Sequence, residues 1–311
     1  MKLHEYKPGT AVEGDGYVIA LGFFDGVHAA HRMLIATAKK IADEAGLPLA
    51  VFTFRAEDTR LKSGIRIYGT EQKLEIFKSL GVDLTVLADF GSVSELSAED
   101  FVSYSLLGDM KCRVAVAGFD YRFGKGAMGD ANLLHRMLTE AGAEFVIEDE
   151  HKIDNEKIST TKIKELLEGG KVEEAGRYLG MPYFTRTTVT HGIGLGKKLG
   201  FPTFNGDGTP SLARGVYRTA VTIAGKLYHA ITNVGTCPTF GEREVHDETF
   251  VIDFEGDLYG QTVYTYYLGY LREEKAFSDS NELILQIKVD KNRAIKENGD
   301  LKWLEIGLNL Q

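Results

Sequence analysis

The chain has 311 residues, of which 43% are hydrophobic and 26% charged, and it carries a formal net charge of −9. That length accommodates one large domain or two ordinary ones, and the balance is that of a soluble globular protein rather than a fibrous, disordered or membrane-embedded one. The acidic excess argues against nucleic acid or an anionic membrane as partner, because both attract positive surface, but it leaves room for a local phosphate site.

The opening segment "MKLHEYKPGTAVEGDG" is polar, lacks an apolar targeting core, and no apolar run approaches the ~20 residues of a spanning helix, so a cytoplasmic location is expected. From there the first half alternates strand-like and helix-like segments. "YVIALGFF" (17–24) is a continuous apolar run, as a strand covered on both faces should be. "HRMLIATAKKIADEAG" (31–46) has helical spacing and stops at Gly46, and "PLAVFTF" (48–54) is a second buried strand. "TEQKLEIFKSLG" reads as a helix with a threonine cap ending at Gly81. "VDLTVLADF", "SAEDFVSYSLLG", "RVAVAGFD", "NLLHRMLTEAG" and "AEFVIEDE" continue the rhythm to a fifth strand, and two short helices follow in "ISTTKIKELLEGG" and "KVEEAGRYLG". Such alternation predicts a parallel sheet with ligands beyond the carboxyl ends of its strands.

After about residue 183 the period changes. "YFTRTTVTHG", "GVYRTAVTIAG", "KLYHAITNVG", "ETFVIDFEG" and "QTVYTYYLGYLR" are short, β-branched and aromatic, with glycine turns between them, which predicts a small antiparallel barrel or sandwich. An amphipathic helix from about Asn281 to Lys296 closes the chain. Cys112 and Cys237 fall in expected strands and read as buried free thiols rather than a disulfide or metal pair.

Two stretches carry chemistry. "GFFDGVHAAH" places Asp25, Gly26, His28 and His31 at the sheet's carboxyl edge, with Gly22 and Gly26 allowing close backbone approach. Three residues apart, the histidines share one helical face in a first turn, where free N–H groups favour anions. Two solvated surface histidines, or a clamp on a triphosphate, both satisfy that spacing. "THGIGLGKKLGFPTFN" (190–205) carries Gly192, Gly194, Gly196 and Gly200 with Lys197 and Lys198 near the tip. It does not fit the P-loop pattern and reads either as a hairpin turn or as a phosphate-binding loop. Thr203 and Asn205 beyond it offer hard oxygens of the kind Mg²⁺ accepts.

"FDGVHAAH" resembles the His-x-Gly-His signature of nucleotidylyltransferases, and "GFFDGVH", "GFDYRFGKGAMGD" and "ISTTKIK" are similar to the N-terminal module of bacterial bifunctional riboflavin kinase/FAD synthetases. The resemblance implies a Rossmann-like domain over residues 1–183 that transfers AMP from ATP to FMN. His28 and His31 would meet the ATP phosphates, with Gly22, Phe24 and Asp25 in the same nucleotide turn. Ser159, Thr161 and Lys164 would bind the nucleotide from the second motif, and Asp120, Phe123 and Gly124 would line the substrate pocket. The chain departs from the family at Ala30 (usually glycine), at "TFRAED" (53–58) where Pro-His-Pro is usual, at Ala127 (usually basic) and at Lys164 (usually arginine).

"GFPTFN" resembles the Gly-Phe-Pro-Thr-Ala-Asn motif of riboflavin kinases, with Phe204 at the alanine position, and the match continues through "GVYR", "NVGTCPTFG", "ETFVIDFEGDLYG" and "LREEKAF". It implies a six-stranded antiparallel barrel over residues 184–311 that phosphorylates riboflavin with ATP. In it Thr203 and Asn205 would hold Mg²⁺, Glu248 would be the base, and Gly192, Gly194, Gly196 and Lys197 would cradle the phosphates. Arg272 and Phe277 would meet the isoalloxazine ring, whereas Asp253 and Asp257 read as turn residues. The expected partners are ATP, riboflavin and FMN, with FAD as product. Two other readings compete: a kinase alone, with an idle N-terminal domain, and a flavin-binding regulator without turnover. The second leaves a base beside a metal site unexplained.

Overall fold

The computed structural model describes residues 1–58, 66–190, 201–206, 211–235 and 246–307. The chain divides into two compact units, Met1–Thr160 and Thr161–Gln311.

The first unit is built on a six-stranded sheet of β1 (Lys2–Tyr6), β2 (Tyr17–Leu21), β3 (Leu49–Phe54), β4 (Leu84–Ala88), β5 (Cys112–Gly118) and β6 (Glu144–Glu148). All neighbours are parallel, in the order β1-β4-β3-β2-β5-β6. Consecutive side chains of a strand point to opposite faces, so the nearly complete burial of β2, β3 and β4 means both faces are covered. β1 is the strand that the sequence reading missed. It lies at the edge beside β4, with Lys2 opposite Leu84 and Tyr6 opposite Ala88, and only Tyr6 is fully buried, so its residues look like a polar leader.

From β2 the chain winds through β3 to β4 on one side, then crosses to β5 and β6 on the other. The order reverses between β2 and β5, and the carboxyl ends of such a pair are the position at which sheets of this kind bind ligands. Helix α1 (Ala29–Ala45) follows β2, buries Leu34, Ile35, Ala38 and Ala42, and ends at Gly46, whose φ of 64° returns its N–H to the carbonyls of Ala42 and Asp43. Helix α2 (Thr70–Ser79) has Gly69 rather than a threonine at its cap. The Thr70 hydroxyl instead accepts the Ala56 N–H at 2.9 Å and donates to Glu57, so it ties the helix to the segment that replaces Pro-His-Pro. The segment expected as one α-helix near residue 100 begins as a short turn, Ala98–Asp100, and continues as a π-helix, Phe101–Asp109. Cys112 is a buried free thiol in β5, as expected, and Cys237 lies outside the described residues.

A short antiparallel pair, β7 (Lys152–Ile153) and β8 (Glu156–Lys157), follows the sheet. The second unit starts with the helices Thr160–Glu168 and Val172–Leu179, the latter packed on the strand Thr262–Arg272. Its sheet contains β9 (Phe184–Thr188), β10 (Thr203–Asn205), β11 (Gly215–Ile223), β12 (Lys226–Gly235), β13 (His246–Val251) and β14 (Thr262–Arg272), in the antiparallel order β10-β13-β12-β11-β14-β9. Just beyond β9 the two edges of the sheet meet, among the described residues, at one bridge, where the Thr190 N–H donates to the Asn205 carbonyl at 3.1 Å and closes the barrel. Inside, the hydroxyls of Thr219, Thr232 and Thr249 form a chain with spacings of 3.0 and 2.9 Å. Val189, Phe204, Val221, Ala230, Val251 and Val263 fill one end of the interior. Phe204, the departure from the kinase motif, is therefore an interior filler. Outside, Val216, Ile231, Ile252 and Leu271 pack against Ala294 of the helix Ser280–Asn298, which Asp279 caps by accepting the N–H groups of Asn281 and Glu282. Among the described residues no helix is long and apolar enough to cross a membrane.

Candidate functional site

The loop from β2 into α1 is a tight, strained turn. Phe24, Gly26 and Val27 have φ of 51°, 71° and 38°, the left-handed region that a β-branched residue such as Val27 rarely enters. Gly22 is required by packing: a Cβ there would lie 2.8 Å from the Phe24 ring. Phe24 is 1% exposed and packs edge-on against Phe77 and His31. The ring braces His31 from behind.

His28 is the N-cap of α1, with extended backbone, and not a first-turn helical residue as the spacing predicts. Its Nδ1 accepts the His31 N–H at 3.4 Å, and the two rings stack with centroids 3.5 Å apart and planes 12° from parallel. An accepting Nδ1 places the proton of the neutral ring on Nε2, which becomes a donor. Burial, with repulsion from Lys157, pushes His28 down to about 4, and burial, His28 and Lys73 hold His31 well below the ordinary histidine value. The pair is neutral at pH 7. It offers hydrogen bonds and no charge. The Nδ1 of His31 is sealed from solvent with no hydrogen-bond partner among the described residues, which suits a polar ligand atom.

Two other groups close this edge. The Thr160 hydroxyl donates to the Asp25 carbonyl at 3.4 Å, so the second motif meets the turn through the residue between Ser159 and Thr161. Lys164 lies on the helix that Thr160 begins. At the end of β5, Asp120 is exposed and accepts from Lys157 at 3.2 Å. Phe123 is 6% exposed within the core beside Phe101 and Tyr121, and a Cβ at Gly124 would lie 2.7 Å from the Ala98 backbone. Phe123 thus packs in the core, and Gly124 gives the Ala98 backbone room. Ala127 takes φ of 57° in the turn Lys125–Ala127, and Ala30 is the second residue of α1.

The sequence reading passed over Lys73. It stands with Ile76 and Phe77 at the i, i+3, i+4 positions of α2's buried stripe, an apolar place for an ammonium, and that was the available signal. It is 2% exposed, and its Nζ donates to the carbonyls of Phe23 and Phe54 and to the Thr53 hydroxyl.

In the second unit, strand register assembles the candidate residues. Asn205 of β10 faces Glu248 of β13, which on its other side faces Asn233 of β12. Thr203, two residues along β10, donates its hydroxyl hydrogen to Glu248 Oε1 at 2.6 Å. The result is an outer-face row of two amides, a hydroxyl and an exposed carboxylate. Asn233 was missed because only a cross-strand partner reveals it. With its hydrogen given to Glu248, the Thr203 oxygen keeps its lone pairs for a cation, and the all-oxygen donor set fits Mg²⁺. Gly192, Gly194, Gly196, Gly200, Lys197 and Lys198 lie outside the described residues. Beside the row a cleft is lined by Phe201, Pro202, Phe250, Phe254 and Lys291. Asp253 pairs with Lys291 at 2.8 Å, and Asp257 accepts the Tyr259 N–H, in keeping with turn roles.

Arg272 makes a two-pronged ion pair with the 5%-exposed Asp290 carboxylate, Nη2 to Oδ2 at 2.8 Å and Nε to Oδ2 at 3.0 Å. Its carbon centre sits 5.9 Å from the Phe277 ring. The guanidinium therefore anchors the closing helix as well as stacking on Phe277.

Known proteins match in the same two blocks. The FAD synthetase family model covers residues 11–162 and the riboflavin kinase model covers residues 179–297. The bifunctional riboflavin kinase/FMN adenylyltransferase of Bacillus subtilis is 34% identical over 92% of this chain and 93% of its own. This chain belongs to that family. The Escherichia coli K12 member is 30% identical, over 89% of this chain and 91% of its own. A solved structure from Streptococcus pneumoniae, described as a macrolide-efflux protein, is 30% identical and superposes with a TM-score of 0.82 over 96% of this chain and all of its own. The family's two activities correspond to the two blocks.

Proposed function

We propose that the barrel unit phosphorylates riboflavin to FMN and that the parallel-sheet unit adenylylates FMN to FAD, each using ATP. Domains of both kinds in the family's order support two activities over a kinase with an idle partner or a silent flavin binder. We take residues 1–183 as the adenylyltransferase and 184–311 as the kinase. The short helices between the two family matches are the connecting segment. The enzyme works on small molecules in the cytoplasm, where ATP is supplied, and its net charge of −9 suits neither nucleic acid nor an anionic membrane.

In the kinase, the observation that carries the reading is the Thr203–Glu248 contact inside the Asn205–Glu248–Asn233 row. Glu248 takes the proton from the terminal ribityl hydroxyl, whose oxygen attacks the γ-phosphorus while the bond to ADP breaks. Thr203 and Asn205 would hold Mg²⁺, which when bound neutralises charge on the phosphates. Phe277, held by Arg272, offers an aromatic face to the flavin.

In the adenylyltransferase, a phosphate oxygen of FMN attacks the α-phosphorus of ATP and pyrophosphate leaves. His28 Nε2 and His31 donate to the phosphate oxygens as charge builds there, as neutral donors that need no counter-ion. Ser159, Thr161 and Lys164 would meet the nucleotide from the second motif, and Asp120, exposed beyond β5, would line the substrate pocket. Incubating the protein with riboflavin, Mg²⁺ and ATP, and separating the flavins over time, tests the whole reading. FMN should appear first and FAD after it; FMN with no FAD would leave only the kinase.

A further inference from the structure

Lys73 has no place in the scheme above, and its position is costly. An ammonium at 2% exposure loses nearly all its hydration, and a methionine would fill the same space without that cost. All three of its hydrogens are used: on the Phe23 carbonyl at 2.9 Å, the Phe54 carbonyl at 3.0 Å and the Thr53 hydroxyl at 3.1 Å. Thr53 passes its own hydrogen to the same Phe23 carbonyl at 2.9 Å. Phe23 is the last residue before the strained turn, and Phe54 ends β3, so the ammonium bolts the turn's first carbonyl to the neighbouring strand. Non-glycine residues at positive φ, such as Phe24 and Val27, persist only where their surroundings over-determine them.

We propose that Lys73 is a positioning residue for adenylyl transfer, locking the Phe23 carbonyl to the end of β3 and so holding the turn that carries Asp25, His28 and His31. The proposal rests on the reading of that turn as the ATP site. Lys73 works through the backbone and touches neither substrate. The charged and titratable groups acting on it are Asp25 from the turn, Glu57 from the segment after β3, and His31 from α1. Burial, partly offset by Asp25 and Glu57, pushes it down to about 8, so the tripod loses its proton at mildly alkaline pH.

The test uses the full chain, whose FMN formation is an internal control. Lys73→Met should lower kcat for FAD formation by ~100-fold, the scale for a reacting group misplaced by about an ångström, with the KM for ATP changed far less and FMN formation unchanged. In the native chain kcat/KM for FAD formation should fall above pH 8. Lys73→Arg, which stays charged but has a planar fork, should recover part of the rate and lose that fall. A lysine that merely filled space would leave the pH profile alone. Equal FAD rates in Lys73→Met and the native chain overturn the proposal, as does an alkaline fall that survives unchanged in Lys73→Arg. If circular dichroism shows Lys73→Met unfolded, the arginine profile decides. FAD synthesis surviving in His28→Ala/His31→Ala would instead overturn the reading of the turn itself.

Discussion

In the parallel-sheet unit the two histidines are close neighbours in sequence, largely buried, uncharged, and held by a backbone turn with three positive φ values. In the barrel they come from three strands, reach solvent, and are set by register alone, with Asn205 and Asn233 flanking Glu248. A turn of the first kind fixes geometry through local strain and needs bracing from behind, which Phe24 and Lys73 supply. A row of the second kind draws its precision from a closed sheet and needs little support of its own. The first should be sensitive to changes in its packing. The second should be sensitive mainly to changes in the row.

The sharpest way to break this comparison is to empty one site at a time. His28→Ala with His31→Ala should reduce FAD formation by ~1000-fold or more, since each removed donor is worth roughly 100-fold or more, while FMN formation holds. Equal loss of both activities, followed by flavin chromatography, would show that the sites are not separate. Glu248→Ala should cut FMN formation by ~100-fold or more, the scale for a positioned base, and leave adenylylation of added FMN unchanged. Near-normal FMN turnover would remove Glu248 from the mechanism.

A third measurement concerns the buried imidazoles. In the folded chain His28 protonates only near pH 4, but in the unfolded chain it does so near its ordinary value, so between these the unfolded state binds more protons. Stability from this source is full above about pH 6.5 and is lost as pH falls toward 4, with His31 acting in the same direction. Thermal melts at pH 7.5 and 5 should show a smaller acid-induced drop in Tm for His28→Gln/His31→Gln than for the native chain. An equal drop would place the acid sensitivity elsewhere. The smallest effects concern the family departures. Ala30→Gly, which removes a methyl, and Lys164→Arg, which restores a two-pronged phosphate donor, should each raise FAD formation by roughly two- to fivefold without changing FMN formation. Unchanged rates would show that Ala30 and Lys164 serve as well as the usual residues.

What could be read in advance follows the same division. The alternation of apolar runs with amphipathic helices announced the parallel sheet, because β2, β3, β4 and β5 are buried enough to advertise themselves, and β6 followed from the continued rhythm. β1 escaped because an edge strand carries polar side chains on both of its partly open faces. The histidines were legible as a motif, but not as an N-cap and a stacked pair, since backbone geometry at Phe24 and Val27 depends on what lies beneath them. Lys73 was hidden by a habit of reading lysine on a helix as solvent-facing. In the barrel, Thr203 and Asn205 were singled out by their hard oxygens and Glu248 by resemblance; Asn233 and the Arg272–Asp290 clamp exist only once strands and helix are paired in space.

Asn205 does two jobs with different atoms. Its main-chain oxygen accepts the Thr190 N–H where the two edges of the sheet meet, and its amide belongs to the outer row. A cation held by that amide would therefore sit on the same residue that ties the two edges of the sheet together.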